Sequence, residues 1–168
     1  MVNPLEKRYD NKMITASSVS SELITIHAPS EVVWSILIDF ENYALWNDFC
    51  PKIDGKLELG EAVTMQVDLG FGLQENVEYI TKIEPYQTLV WSMENNPEDP
   101  IHADRYQSLV SLDEECCTYE TVDYFSGDGV ALMIEQMGQQ IEAGFNQCAR
   151  GLKSRSEDLY LQTNRDNI

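Results

Sequence analysis

The sequence predicts an α+β domain in which a run of antiparallel strands is followed by one long terminal helix. Three observations predict it. Apolar residues alternate with polar ones in mid-chain, as Val63, Met65, Val67 and Leu69 against Thr64, Gln66 and Asp68. Near the end the spacing changes to alternating steps of four and three, through Ile134, Gly138, Ile141, Phe145, Cys148 and Leu152. The length, 168 residues, suits one domain.

Residues 1–18 are polar and aperiodic and read as an N-terminal extension, 19–162 as the domain, and 163–168 as a polar tail that frays. Val19 to His27 has strand character, with Ile24 and Ile26 on one face and Leu23, Thr25 and His27 on the other. Pro29 suits the first turn of a helix and Glu31 complements its positive end. Val32, Val33, Ile36, Leu37 and Phe40 follow at helical spacing. A second short helix carries Tyr43, Trp46 and Phe49 and stops before Pro51.

From Ile53 to Phe125 the pattern is a meander of about six strands. Its punctuation is Gly70-Phe71-Gly72, Pro85-Tyr86, the loop Asn95 to Pro100 and the acidic turn Asp113-Glu114-Glu115. With the first strand this makes a sheet of about seven. Asp128 is the expected cap of the terminal helix. Its glycines, Gly138, Gly144 and Gly151, each cost about 1 kcal/mol relative to Ala. Either they hollow a cavity wall or they admit close approach by a neighbour.

Composition narrows the function classes. Hydrophobic residues make up 43% of the chain, which supports a packed core rather than disorder. The formal net charge is −18, a field that repels phosphate backbones and anionic lipid surfaces, so no nucleic-acid partner is expected. No apolar run is long enough for membrane insertion and no secretory leader is visible. Cys50, Cys116, Cys117 and Cys148 form no metal or disulfide frame, so a reducing cytoplasm is the expected setting. Neither a cofactor nor a metal is expected, since phosphate-loop, dinucleotide and zinc-helix motifs are missing and only His27 and His102 are present.

The segment Ile24-Thr-Ile-His-Ala-Pro-Ser-Glu-Val-Val-Trp34, then Asp39 to Tyr43 and Trp46-Asn47, resembles the START-like (SRPBCC) superfamily, including its polyketide cyclase/dehydrase branch. Phe125-Ser126-Gly127 and the stretch from Phe145 to Lys153 extend the resemblance to roughly residues 19–160. It implies a helix-grip fold, a curved sheet wrapped around the terminal helix with an apolar cavity between them. It also implies a small hydrophobic ligand, since members bind lipids, sterols, polyketides or hormones there. Pro29, Trp34, Tyr43 and Trp46 read as fold determinants in this family, so chemistry must come from the cavity lining.

Three residues are the catalytic candidates. His102, Asp104 and Tyr106 share strand parity with Ser108, Val110 and Leu112, the face expected to point inward. A histidine beside a carboxylate against an apolar wall can move protons, and Tyr106 can donate to a carbonyl. The alternative is that His102 and Asp104 belong to the preceding loop and sit in water. The ligand-binding candidates are Met65, Val67, Glu75, Val77, Tyr79, Trp91, Ser108, Val110, Met137, Ile141 and Phe145. Glu75 is placed at the cavity mouth, or else at a solvated hairpin end. Met137 suits an adaptable wall.

The expected function is binding of a small hydrophobic molecule, a polyketide or other secondary-metabolite intermediate, in an internal cavity. Cyclisation or dehydration by general acid–base chemistry would follow if the protein is an enzyme. The competing expectation is a non-catalytic carrier or sensor of a lipid or sterol-like ligand, with the acidic surface open to a basic protein partner.

Overall fold

The computed structural model describes residues 12–166. Most of the expected N-terminal extension, up to residue 11, and the last two residues lie outside the described part. The elements are β1 (Ser18–Ser20), β2 (Ile24–Ile26), α1 (Ser30–Leu37), a 3-10 helix (Phe40–Leu45), β3 (Lys52–Asp54), β4 (Ala62–Asp68), β5 (Leu73–Glu84), β6 (Thr88–Ser92), β7 (His102–Asp113), β8 (Cys116–Ser126) and α2 (Val130–Asp166). The strands form one antiparallel sheet in the order β1-β8-β7-β6-β5-β4-β3, and β2 also pairs with β8. This is an α+β fold with a curved, open sheet and a long C-terminal helix.

The expected first strand is two strands in line along β8, which brings the described total to eight. Between them the backbone is diverted. Ser21 N–H donates to the Thr121 carbonyl while Ser21 Oγ accepts from Thr121 N–H, and Glu22 N–H donates to Asn146 Oδ1 on α2. Residues 12–17 fold back, with an Ile14–Val19 bridge, and Ile14 packs on Gly138. The second predicted helix is the 3-10 turn, and Trp46 and Phe49 follow it. Asp128 stands in the turn ahead of α2 and makes no capping bond among the described residues. The helix starts at Val130 and continues through Asp166, past the point where fraying was expected.

The glycines of α2 answer the question their sequence positions left open. A Cβ at Gly144 would lie 2.3 Å from the Phe49 ring, and one at Gly151 would lie 2.0 Å from the Trp46 carbonyl oxygen. Close approach is therefore the reason for both: the segment after the 3-10 helix lies directly on α2. Gly127, at φ 117, is required by the turn from β8 into α2, where a Cβ would meet the Pro100 carbonyl at 2.3 Å.

Burial along α2 is uneven. In its middle, Phe145, Cys148, Ala149 and Leu152 are at most 2% exposed. In its first turns Met133, Ile134 and Met137 are only partly buried, although Met133 and Met137 pack against the core, as do Val67 and Phe125 of the sheet and Leu69 just after β4. The register puts the exposed start of β5 at this same end, beyond Ser92 and Asp104. There Phe71 and Leu73 are 68% and 56% exposed.

Candidate functional site

Strand alternation sorts the chemistry into two faces. On β7 the odd residues Ala103, Arg105, Gln107 and Leu109 are buried, and Arg105 touches Phe145 and Cys148 of α2. That face is the concave one, toward the helix. The even residues His102, Asp104, Tyr106 and Ser108 point to the other, outer face.

On the outer face an open groove of about 840 Å³ is lined by Tyr79, Thr81, Lys82, Val90, Ser92, Met93, Glu94, Asn95, His102, Asp104 and Tyr106. The register explains the assembly: Tyr79 pairs with Ser92 and Ser92 with Asp104, while Val90 pairs with Tyr106. A β-bulge between Ile80 and Lys82 puts Thr81 and Lys82 side by side on this face, and the Thr81 hydroxyl lies 3.0 Å from that of Ser92. His102 Nε2 is 3.3 Å from Asp104 Oδ1, and His102 Nδ1 is buried without a partner. Tyr106 packs edge-on against Tyr124. The groove is open, mixes polar with apolar side chains, and can present a His–Asp pair to a molecule lying across the sheet.

On the concave face Arg105 is 6% exposed. Its guanidinium lies 4.4 Å from the Phe145 ring centroid and within 5.7 Å of those of Phe49 and Trp91. Its Nε donates to Thr121 Oγ1 at 3.0 Å and its Nη2 to Cys148 Sγ at 3.7 Å. Tyr119 OH donates to Gln107 Oε1 at 2.9 Å. Burial keeps most of the surrounding acids neutral. It pushes the Glu78 carboxyl up to about 8, helped by the charge of Asp123, and Cys50 up to about 12. It also raises Tyr43, Tyr119 and Cys148. Asp123, the register partner of Arg105, is pushed up to about 6 by burial against the opposing pull of Arg105, and so is ionised near neutrality. No group of three or more metal-ligating side chains occurs among the described residues.

Comparison with protein families decides the kinship. Residues 27–157 match the family model of the activator of Hsp90 ATPase homolog 1-like proteins. The chain belongs to this family. The AHSA1-like match spans α1 through most of α2, and with the solved structures it supports a START-like fold. Zhui aromatase/cyclase from Streptomyces sp. R1128 is similar at 19% identity over 83% of this chain and 93% of that one, with a TM-score of 0.65. A START superfamily protein from Mycobacterium smegmatis is similar at 14% identity over 81% and 99%, with a TM-score of 0.57. Norcoclaurine synthase from Thalictrum flavum is similar at 9% identity over 84% and 94%, with a TM-score of 0.64. At these identities the likeness is one of fold. No match was found among curated proteins.

The AHSA1-like fold divides the expected site residues between the two faces. His102, Asp104, Tyr106 and Tyr79 come together, but in the outer groove and not beneath α2. Ser108 is half-buried on the same outer face, and Val110 and Val77 are exposed at 56% and 46%. Glu75 is exposed and accepts from Gln66 Nε2 at 3.2 Å. Met65, Trp91, Ile141 and Phe145 are buried on the concave side, and Val67 and Met137 are partly buried there. The inward assignment of the even β7 residues and of Val77 and Tyr79 is thus corrected. Val110 and Leu112 were the apolar markers of that face, yet both lie on the exposed end of the strand. The same slip hid Arg105, Gln107 and Glu78. The available signal was Ala103 and Leu109 bracketing Arg105 and Gln107 at a period of two, out of step with Val110.

Proposed function

We propose that this AHSA1-like protein binds a small apolar molecule on the concave side, between the first turns of α2 and strands β4, β5 and β8. The observation that carries this reading is the uneven burial of α2. Its middle is sealed by Phe49, Trp46 and the sheet, while Met133 and Met137 in its first turns are left partly buried at the margin of the core, as Val67, Leu69 and Phe125 are on the elements outside the helix. Apolar side chains at a half-open edge gain roughly 25 cal/mol per Å² when a ligand covers them. Thioethers adapt to its shape. A polyketide or other secondary-metabolite intermediate is the ligand class favoured by the fold shared with an aromatase/cyclase. Because the His–Asp pair faces away from this side, capture and carriage of the ligand, a lipid or sterol-like molecule included, fit the concave site better than acid–base turnover does. All four thiols are unpaired, which supports a reducing, cytoplasmic setting.

The test is fluorescence of N-phenyl-1-naphthylamine, a neutral apolar dye, with the full chain and with Met137→Lys. Binding to the native protein, lost at least tenfold in a folded Met137→Lys variant, is the expected result. No dye binding, or equal binding by both, would refute the reading.

A second reading rests on the outer groove. His102 and Asp104 as an acid–base pair, with Tyr106 and Tyr79 as donors, would serve cyclisation or dehydration of a polar-ended substrate held across the sheet. Under it, His102→Ala or Asp104→Ala abolishes turnover and spares ligand binding.

A further inference from the structure

Resting on the concave-side reading, we propose that Arg105, with the indole N–H of Trp91 and the free amide N–H of Gln107, forms a seat for a carboxylate. The ligand class is then an apolar body carrying one anionic head group. The seat lies at the inner end of the half-open region, because Arg105 rests on Phe145 and Cys148, where α2 passes from partly buried to sealed.

The argument is an inventory of donors. Trp91 is the register partner of Arg105 across β6 and β7, and Gln107 is the next residue along β7 on the same face. Both are 1% exposed. Trp91 Nε1 and Gln107 Nε2 are buried and unpartnered. A guanidinium has five N–H groups, and Arg105 has two partners, one of them a weakly accepting sulfur. Among the described residues it makes no ion pair within 4.0 Å. What this patch lacks is an acceptor. Unmade hydrogen bonds of this kind destabilise the fold, and a buried cation without a contacting anion does so more.

The surroundings select the charge. Glu78, Tyr119 and Cys148 stay protonated near neutral pH because burial opposes their ionisation, so none of them neutralises Arg105. Asp123 supplies one negative charge from beyond contact distance. One guanidinium with two single donors matches the two oxygens of a carboxylate, and a phosphate, carrying more negative charge, is the poorer guest beside the ionised Asp123 in a chain of net charge −18. An apolar chain laid along Met133, Met137 and Ile141 delivers its head to Arg105.

The experiment displaces bound N-phenyl-1-naphthylamine from the full chain with decanoate and with 1-decanol, which share a chain and differ in the head group. Decanoate is expected to displace the dye at a concentration at least tenfold lower than decanol. Arg105→Met should weaken decanoate at least tenfold and decanol less than twofold. Trp91→Phe, which removes one N–H and keeps the ring, should weaken decanoate about threefold, and it decides the matter if Arg105→Met does not fold. Equal displacement by the two compounds in the native protein, or equal loss of both in the variants, overturns the seat while leaving the apolar site standing. Failure of the dye to bind at all removes the site itself.

Discussion

The two faces of β7 lie one peptide apart and obey opposite rules. The face under α2 holds the strand's arginine and its glutamine, both nearly inaccessible, and the face away from it holds Val110, which is 56% exposed. Polarity therefore does not tell which way a strand residue points in this fold. What decides is the shell of neighbours on each side, even where it leaves some donors unmet. Thr121, Tyr119 and Cys148 offer Arg105 and Gln107 partners, and three aromatic rings surround the guanidinium. No comparable shell surrounds the outer groove, whose His102–Asp104 pair has side chains 25% and 43% exposed.

The sharpest way to break this comparison is to truncate neighbours. Leu109, 3% exposed, and Val110 adjoin on one strand. Leu109→Ala is expected to cost about 2–5 kcal/mol, through lost burial and the cavity left behind. Val110→Ala should stay within about 0.5 kcal/mol, as surface changes do. Urea denaturation of the two variants reads the difference directly. Equal costs would mean that the faces are wrongly assigned.

A second prediction uses pH. Glu78 is raised from an ordinary 4.5 to about 8, chiefly by burial. Between those values the unfolded chain ionises this group and the folded chain does not. The folded state then binds more protons, so stability falls as pH rises. The contribution is intact below about pH 4.5, erodes at up to about 1.4 kcal/mol per pH unit, and is gone above about 8. Asp123, raised to about 6, acts in the same direction over a lower window. Glu78→Gln keeps an acceptor for the Asn76 amide, which donates to Oε1 at 3.2 Å, and removes the titration. Chemical denaturation at pH 5, 6.5 and 8 should show a falling midpoint for the native protein and a visibly flatter one for the variant. Matching slopes would show that Glu78 is solvated rather than sealed.

Much of the fold was legible because its elements repeat a period long enough to be counted. The terminal helix, the β4 alternation and the turns at Gly70-Phe71-Gly72 and Asp113 to Glu115 all stand where the pattern put them. The grouping of His102, Asp104, Tyr106 and Tyr79 was also legible, since equal parity on neighbouring strands brings them together whichever face they share. The face itself was not. Parity gives two sets and no sign, and the sign was taken from Val110 and Leu112, at an end of the strand that no helix covers. The bulge beside Thr81 is a further element without a sequence marker. The break at Ser21 depends on Asn146, a partner 124 residues away that no local pattern reveals.

The smallest expected effect tests whether the two faces are functionally separate. The His102–Asp104 pair is partly exposed and spans one strand repeat, so solvent screens it, and such pairs are worth about 0–1 kcal/mol. Asp104→Asn should shift the urea midpoint by no more than that. The shift should shrink further in high salt, where the charge pair already counts for little. Affinity for N-phenyl-1-naphthylamine should be unchanged, because Asp104 lines the outer groove and the proposed dye site lies across the sheet. A tenfold loss of dye binding in this variant would mean that the groove, and not the concave side beneath α2, holds the ligand.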